Sequence, residues 1–251
     1  QGPGMAGDTN ATVEYNIANH NGQGGISGYE GVNTLWVGNQ VSYNNWRGAQ
    51  GAYYHWSSSG FHPYAMHGAT MNGNVTTFNQ TFGIHWDTDN QNITVDSLIA
   101  SQNLLAEAFV EKSEGPFTLT NSYMCNGNPY TGSNGTGFEA RNSESITLTG
   151  NTINNNDTEF SIFGVAGGLT VTNWQTGEVY TLVTQNMALT SNTFVGATNQ
   201  PLFYDGTLGG DDWTTFQSTF TSNLNTWWNA DDSTPFTVPV PTNFTQLNFA
   251  G

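Results

Sequence analysis

Three strand-like segments carry the side chains best suited to moving a proton. They are Gly83-Ile84-His85-Trp86-Asp87, Ala108-Phe109-Val110-Glu111-Lys112 and Gly137-Phe138-Glu139-Ala140-Arg141. Alternate residues of an extended strand share a face. With Ile84, Phe109 and Phe138 pointing inward, the third and fifth residues of each segment point to solvent. Stacked in parallel, the segments place Asp87, Lys112 and Arg141 in one column about 4.8 Å apart, with His85 and Glu139 in the adjoining column. A base and a cation so placed can take a proton and neutralise the negative charge that develops, with His85 or Asp87 as base and Lys112 or Arg141 as electrophilic partner. The same residues also describe a plain ion-pair ladder, Asp87 with Lys112 and Glu111 or Glu139 with Arg141. That ladder would stabilise the stack by a few tenths of a kcal/mol per pair.

Other candidates are less specific. Trp46, Tyr53, Tyr54 and Trp56 lie in an aromatic stretch, 46–68, and suit either stacking on sugars or packing over the body of the protein. Asp87 and Asp89 could hold Ca²⁺, but two carboxylates without a third are a poor calcium site, and solvated turn acids are the expected reading. His55, His62 and His67 share the aromatic stretch without an HxH or HxxxH spacing, so neither a metal nor a cofactor is expected. No phosphate-binding Gly-rich loop ends in Lys, and no Gly-x-Ser-x-Gly elbow is present. Seven Asn-X-Thr sequons, at Asn10, Asn74, Asn79, Asn92, Asn134, Asn156 and Asn243, are candidate glycosylation sites. Their number is about what 32 Asn and 52 Ser plus Thr give by chance.

The elements that must position these residues are legible as an internal repeat. Seven segments align on one template, an alternating apolar strand, a small polar patch, a further apolar residue and an Asn-rich turn. They start at Ala11, Leu35, Ala69, Ile93, Phe117, Ile146 and Met187, so that three of the six intervals are 24 residues and the others are longer by insertions. A unit this small cannot bury its own apolar face and must stack on its neighbours. Two or three short strands and tight turns make one rung, and rungs pair through parallel ladders. Asn recurring at one turn position would stack amide on amide.

This pattern, with Asn151-Thr152-Ile153 and Asn192-Thr193-Phe194 each following an Ile/Leu-Thr strand, resembles the secreted right-handed parallel β-helix proteins of the pectate-lyase-like superfamily. The resemblance implies an all-β, single-domain chain over 1–251, with about seven rungs spanning roughly 11–210. Insertions are expected at 46–68 and 165–186, the latter a protruding hairpin. It also implies an extracellular, often carbohydrate-related setting without specifying a reaction. Asp211 and Asp212 precede Trp213, Phe216, Phe220, Leu224 and Trp227, whose steps of three and four predict a flanking or capping helix near 212–228. The tail beyond it is extended, because Pro239 and Pro241 exclude helix.

Composition sets the outer bounds. The 251 residues carry a formal net charge of −16 and only three basic side chains, Arg47, Lys112 and Arg141. Three scattered cations cannot build a nucleic-acid face, and an anionic membrane surface would repel the chain. No apolar run approaches the roughly 18–20 residues of a spanning helix. The single Cys125 forms no internal disulfide. A polar surface almost without Lys points outside the cell. Two functions fit: a structural or surface glycoprotein that self-associates through its β-helix ends into filaments, or a lyase or hydrolase acting on polysaccharide through the His85–Arg141 face.

Overall fold

The computed structural model describes residues 4–51, 58–127, 135–196, 201–206, 210–229 and 236–237. The chain winds as a parallel β-helix whose three sheets run along its length, with nine, eight and eight strands. Sheet I contains Ser59–Tyr64, Phe82–Asp87, Ala106–Glu111, Thr136–Arg141 and Thr158–Phe163; sheet II contains Ile93–Asp96 and Phe117–Thr120; sheet III contains Ile99–Ser101 and Tyr123–Cys125. Every pairing within these sheets is parallel, and each strand pairs with its equivalent one rung away. Eight rungs are present among the described residues, running from Gly4 to Asn229, one more than the repeat alone displayed.

The turns explain the Asn-rich spacing. Sheet II passes to sheet III through two residues, the first of which is left-handed in all eight rungs: Tyr15, Gly38, Gly73, Ser97, Asn121, Gly150, Ser191 and Leu224, with φ between 49° and 67°. The second places a side chain inside the corner. Asn16, Asn39 and Asn74 form one ladder, each donating from its backbone N–H and Nδ2 to the Oδ1 of the next at 3.0 Å. The line resumes through Ser122, Asn151, Asn192 and Asn225. A second ladder, Asn21–Asn44–Asn79–Asn103, lines the corner between sheets III and I. Buried amides are thus paired rung on rung, as buried polar groups must be.

This second ladder also fixes a glycine. A Cβ at Gly60 would lie 2.7 Å from Asn79 Nδ2, and one at Gly83 would lie 2.6 Å from Asn103 Nδ2. In the rung after Asn103 the two roles exchange. Gly127 stands where the amide should be, and Glu107 stands where the glycine should be. The Glu107 carboxyl accepts from Asn103 N–H at 3.0 Å and from Asn103 Nδ2. Two rungs on, Glu159 likewise accepts from Asn156 N–H at 3.1 Å and Nδ2 at 2.6 Å.

Inside, single residues stack in files. Phe138 lies parallel to Phe160 with centroids 5.9 Å apart, and Phe194 lies parallel to Trp227 at 4.0 Å. Trp36, Trp86 and Trp227 are fully buried. Each such side chain contributes roughly 1.5–3 kcal/mol of burial.

Several sequence expectations need correction. The helix covers Gly210–Thr219 and ends there; Thr221–Asn223 and Thr226–Asn229 are strands of the eighth rung. Trp213 and Phe216 do face the core from this helix, but Leu224 is an exposed corner and Trp227 fills the coil. The helical spacing of Phe220, Leu224 and Trp227 is a coincidence of a short rung. The 46–68 insertion is smaller than expected: a short helix, Trp46–Gly51, is followed after the undescribed 52–57 by a regular sheet I strand, Ser59–Tyr64. The 165–186 hairpin is present as the antiparallel pair Leu169–Thr172 and Val179–Leu182, although Gln185 and Asn186 already belong to the next sheet II strand.

Candidate functional site

The outer face of sheet I gathers the candidate residues, in a register one residue away from the expected one. His85 lies beside Phe109, and Phe109 beside Glu139. Asp87 lies beside Glu111, and Glu111 beside Arg141. Ala108, not Phe109, is the inward residue of the middle strand. Phe109 stacks outside on the His85 ring, with centroids 4.5 Å apart. Glu111 therefore takes the place expected for Lys112, between Asp87 and Arg141. Lys112 is the left-handed turn residue that follows, with φ 47°. The expected Asp87–Lys112 pair is replaced by Lys112 Nζ at 3.5 Å and Arg141 Nη1 at 4.0 Å from Glu111 Oε1.

His62, expected inside an insertion, belongs to this face. Its Nε2 lies 3.4 Å from Asp87 Oδ2, and its ring centroid is 5.4 Å from that of His85. The signal that could have found it is Gly60-Phe61-His62 repeated 23 residues later as Gly83-Ile84-His85. His85 Nε2 lies 3.2 Å from Glu111 Oε2, while its Nδ1 is buried without a hydrogen-bond partner. Phe82, with its ring 5.1 Å from His85, closes the other side of the imidazole.

Environment separates the acids. Burial pushes the Glu139 carboxyl up, and the Glu111 charge adds to this; the opposing pull of Arg141 is weaker, so the group titrates at about 7. Burial also opposes ionisation of Asp87, but hydrogen bonds from His62 and Thr88 and the imidazole charges outweigh it and hold the carboxyl down at about 2. For Glu111 burial is likewise outweighed, by the His85 hydrogen bond and the charges of His85 and Lys112, so its pKa is lowered. Burial lowers the His85 pKa. One carboxyl kept protonated near neutrality beside an ionised one is the arrangement of an acid–base pair.

The remaining candidates fall elsewhere. Asp89 does not join Asp87. It is buried under the hairpin, where its carboxylate accepts from Tyr180 Oη at 2.6 Å, Trp174 N–H at 2.9 Å and Gln91 Nε2 at 3.1 Å. His67 lies beside it, 3.3 Å from Asp89 Oδ2 and 2.6 Å from Gln175 Oε1. Trp46 is partly exposed, but the Arg47 guanidinium sits 5.3 Å from its ring centroid and occupies one stacking face. Tyr53, Tyr54, His55 and Trp56 lie outside the described residues, as do the sequons Asn134 and Asn243. Asn74, Asn79 and Asn156 are buried with their Nδ2 atoms in the corner ladders, so the folded chain has no room for a glycan there, a correction to the sequence reading. Asn10 and Asn92 are exposed.

No family profile matches the sequence, and no curated protein does. Solved structures with the same winding do match. The A-module of mannuronan C-5 epimerase AlgE6 of Azotobacter vinelandii superposes with a TM-score of 0.68 at 19% identity, covering 93% of this chain and 56% of that one. The A-module of AlgE4 from the same organism gives 0.64 at 16% identity, covering 93% and 57%. The endo-xylogalacturonan hydrolase of Aspergillus tubingensis gives 0.53 at 12%, covering 93% and 62%. The chain thus spans a little over half the length of these structures. The fold is the expected right-handed parallel β-helix.

Proposed function

We propose that this chain is a carbohydrate-active enzyme that cleaves a glycosidic bond of a polysaccharide lying across the outer face of sheet I. The observation that carries the reading is the pairing of Glu139 and Glu111 on neighbouring strands of one face, in adjoining columns, with the Glu139 carboxyl pushed up to about 7 and the Glu111 carboxyl held below its ordinary value. Glu139 delivers its proton to the glycosidic oxygen as the C–O bond breaks. Glu111 takes a proton from the attacking water, whose oxygen bonds to the anomeric carbon. Arg141, exposed beside Glu111, orients a substrate oxygen. The fold neighbours, an epimerase of mannuronan and a hydrolase of xylogalacturonan, support a glycan substrate. A net charge of −16 favours a neutral polysaccharide over a polyuronate. A chain with a single Lys supports a setting outside the cell.

The test is turnover of a panel of neutral and acidic polysaccharides, read as new reducing ends. Glu139→Gln should lose at least about 100-fold in kcat, the usual scale of general acid catalysis. Full activity in that variant, or no turnover on any glycan, sinks the reading.

A second reading, end-to-end assembly, draws on the first rung, whose strands Thr12–Glu14 and Ile17–Asn19 pair on one side only among the described residues and expose Tyr15 and Ile17. Electron microscopy decides it: rods joined end to end support assembly, and dispersed particles exclude it.

A further inference from the structure

The acid–base pair leaves a neighbouring cluster without a task. His62, His85 and Asp87 offer one ligand atom each, all within 4.8 Å of one another, on three adjoining positions of the sheet I face. We propose that they form a binding site for a divalent first-row transition metal, Zn²⁺ being the best match.

Four features support the assignment. The 3.4 Å between His62 Nε2 and Asp87 Oδ2 is the edge of a tetrahedron whose metal bonds are about 2.0–2.1 Å. Thr88 Oγ1 donates to Asp87 Oδ1 at 2.8 Å, which turns the other oxygen toward His62. Glu111 Oε2 lies 3.2 Å from His85 Nε2, the carboxylate–imidazole contact that fixes the ring of a metal-bound histidine. With Nε2 committed to Glu111, the buried and unpartnered Nδ1 of His85 is the nitrogen left with a free lone pair. Charge fits as well, because Asp87 and Glu111 lie side by side and both carry negative charge. Two imidazoles with a carboxylate select a borderline metal over Ca²⁺ or Mg²⁺, which prefer all-oxygen shells. Three protein ligands leave a coordination position open. The site is independent of the glycan reading, because binding is measured without any substrate.

The experiment is titration of chelator-treated full-length protein with Co²⁺ and then Zn²⁺. Expected are visible d–d bands of low-symmetry cobalt at one equivalent per chain, bleached by Zn²⁺, and roughly micromolar or tighter Zn²⁺ affinity. His62→Ala and Asp87→Asn should each weaken binding by more than the roughly 100-fold that follows loss of a supporting group. His20→Ala, at an exposed position stacked on Tyr43, should bind as the wild type does. Circular dichroism of each variant without metal separates lost ligation from lost folding. Glu139→Gln should bind metal normally while losing turnover, so the two proposals fail separately. Absence of the cobalt bands in the folded wild type, or equal Zn²⁺ affinity in the folded His62→Ala variant, overturns the site.

Discussion

At the scale of single residues, the half-buried Glu139 and the buried Glu159 and Glu107 dictate how the protein responds to pH. Glu139 works as an acid only while it holds its proton, so activity should fall as pH rises through about 7. A pH–rate profile checks this, and the Glu139→Gln variant's residual rate should lack that limb. Glu159 has its carboxyl raised from the ordinary 4.5 to about 8, chiefly by burial. A group raised in the folded state contributes fully below its unfolded value and loses that contribution as pH climbs to the folded one. Stability should therefore decline between about pH 4.5 and 8, and Glu107, raised by burial as well, acts in the same direction. Thermal melts across that range should flatten in Glu159→Gln, although its baseline drops by roughly 1–3 kcal/mol because an amide NH₂ then faces Asn156. The residues of the sheet I face were legible in type but not in register. Phe109, the largest apolar side chain of its strand, was a natural inward choice; small Ala108 takes that place, between the buried Ile84 and Phe138 of the neighbouring rungs.

At the scale of elements, the exchange of Asn-plus-Gly for Gly-plus-Glu at a sheet corner is a coupled pair. Glu107→Gly alone leaves Asn103 without its acceptor, and Gly127→Asn alone crowds the Glu107 carboxyl. Each should cost about 1–3 kcal/mol. The double variant rebuilds the ladder seen at Asn79 and Asn103 and should recover most of that loss, which a double-mutant cycle in denaturant measures. The hairpin Leu169–Leu182 depends on Asp89 in a comparable way. Tyr180→Phe removes a hydrogen bond to a charged acceptor and should cost about 1.5–3 kcal/mol locally. Faster hydrogen exchange at 173–182, with sheet I unchanged, is the expected signature. The hairpin was readable from Gln175-Thr176-Gly177 between alternating residues, but its landing place was not. His67 and Asp89 come from rungs 85 to 108 residues earlier in sequence, and no local pattern records so distant a contact. The helix failed in the opposite direction, because a four-residue corner step imitates helical spacing.

At the scale of the whole molecule, rungs contact only their neighbours through the sheets, so stability should add rung by rung. Trp227→Ala removes the ring stacked on Phe194 and should cost about 3–5 kcal/mol. Hydrogen exchange should rise over 221–229 and stay unchanged over 84–110. This additive picture was visible in the 24-residue period, because every rung repeats the same burial and the same corner amides. The hairpin is the exception to it. It leaves the chain in the seventh rung and binds His67 and Asp89 in the third and fourth. Pulled by its two ends, the rod would shed its first two rungs and its eighth at low force and then stop. Everything between the third rung and the seventh is held under a staple, and tension must break Tyr180 and Trp174 away from Asp89 before the coil can pay out further.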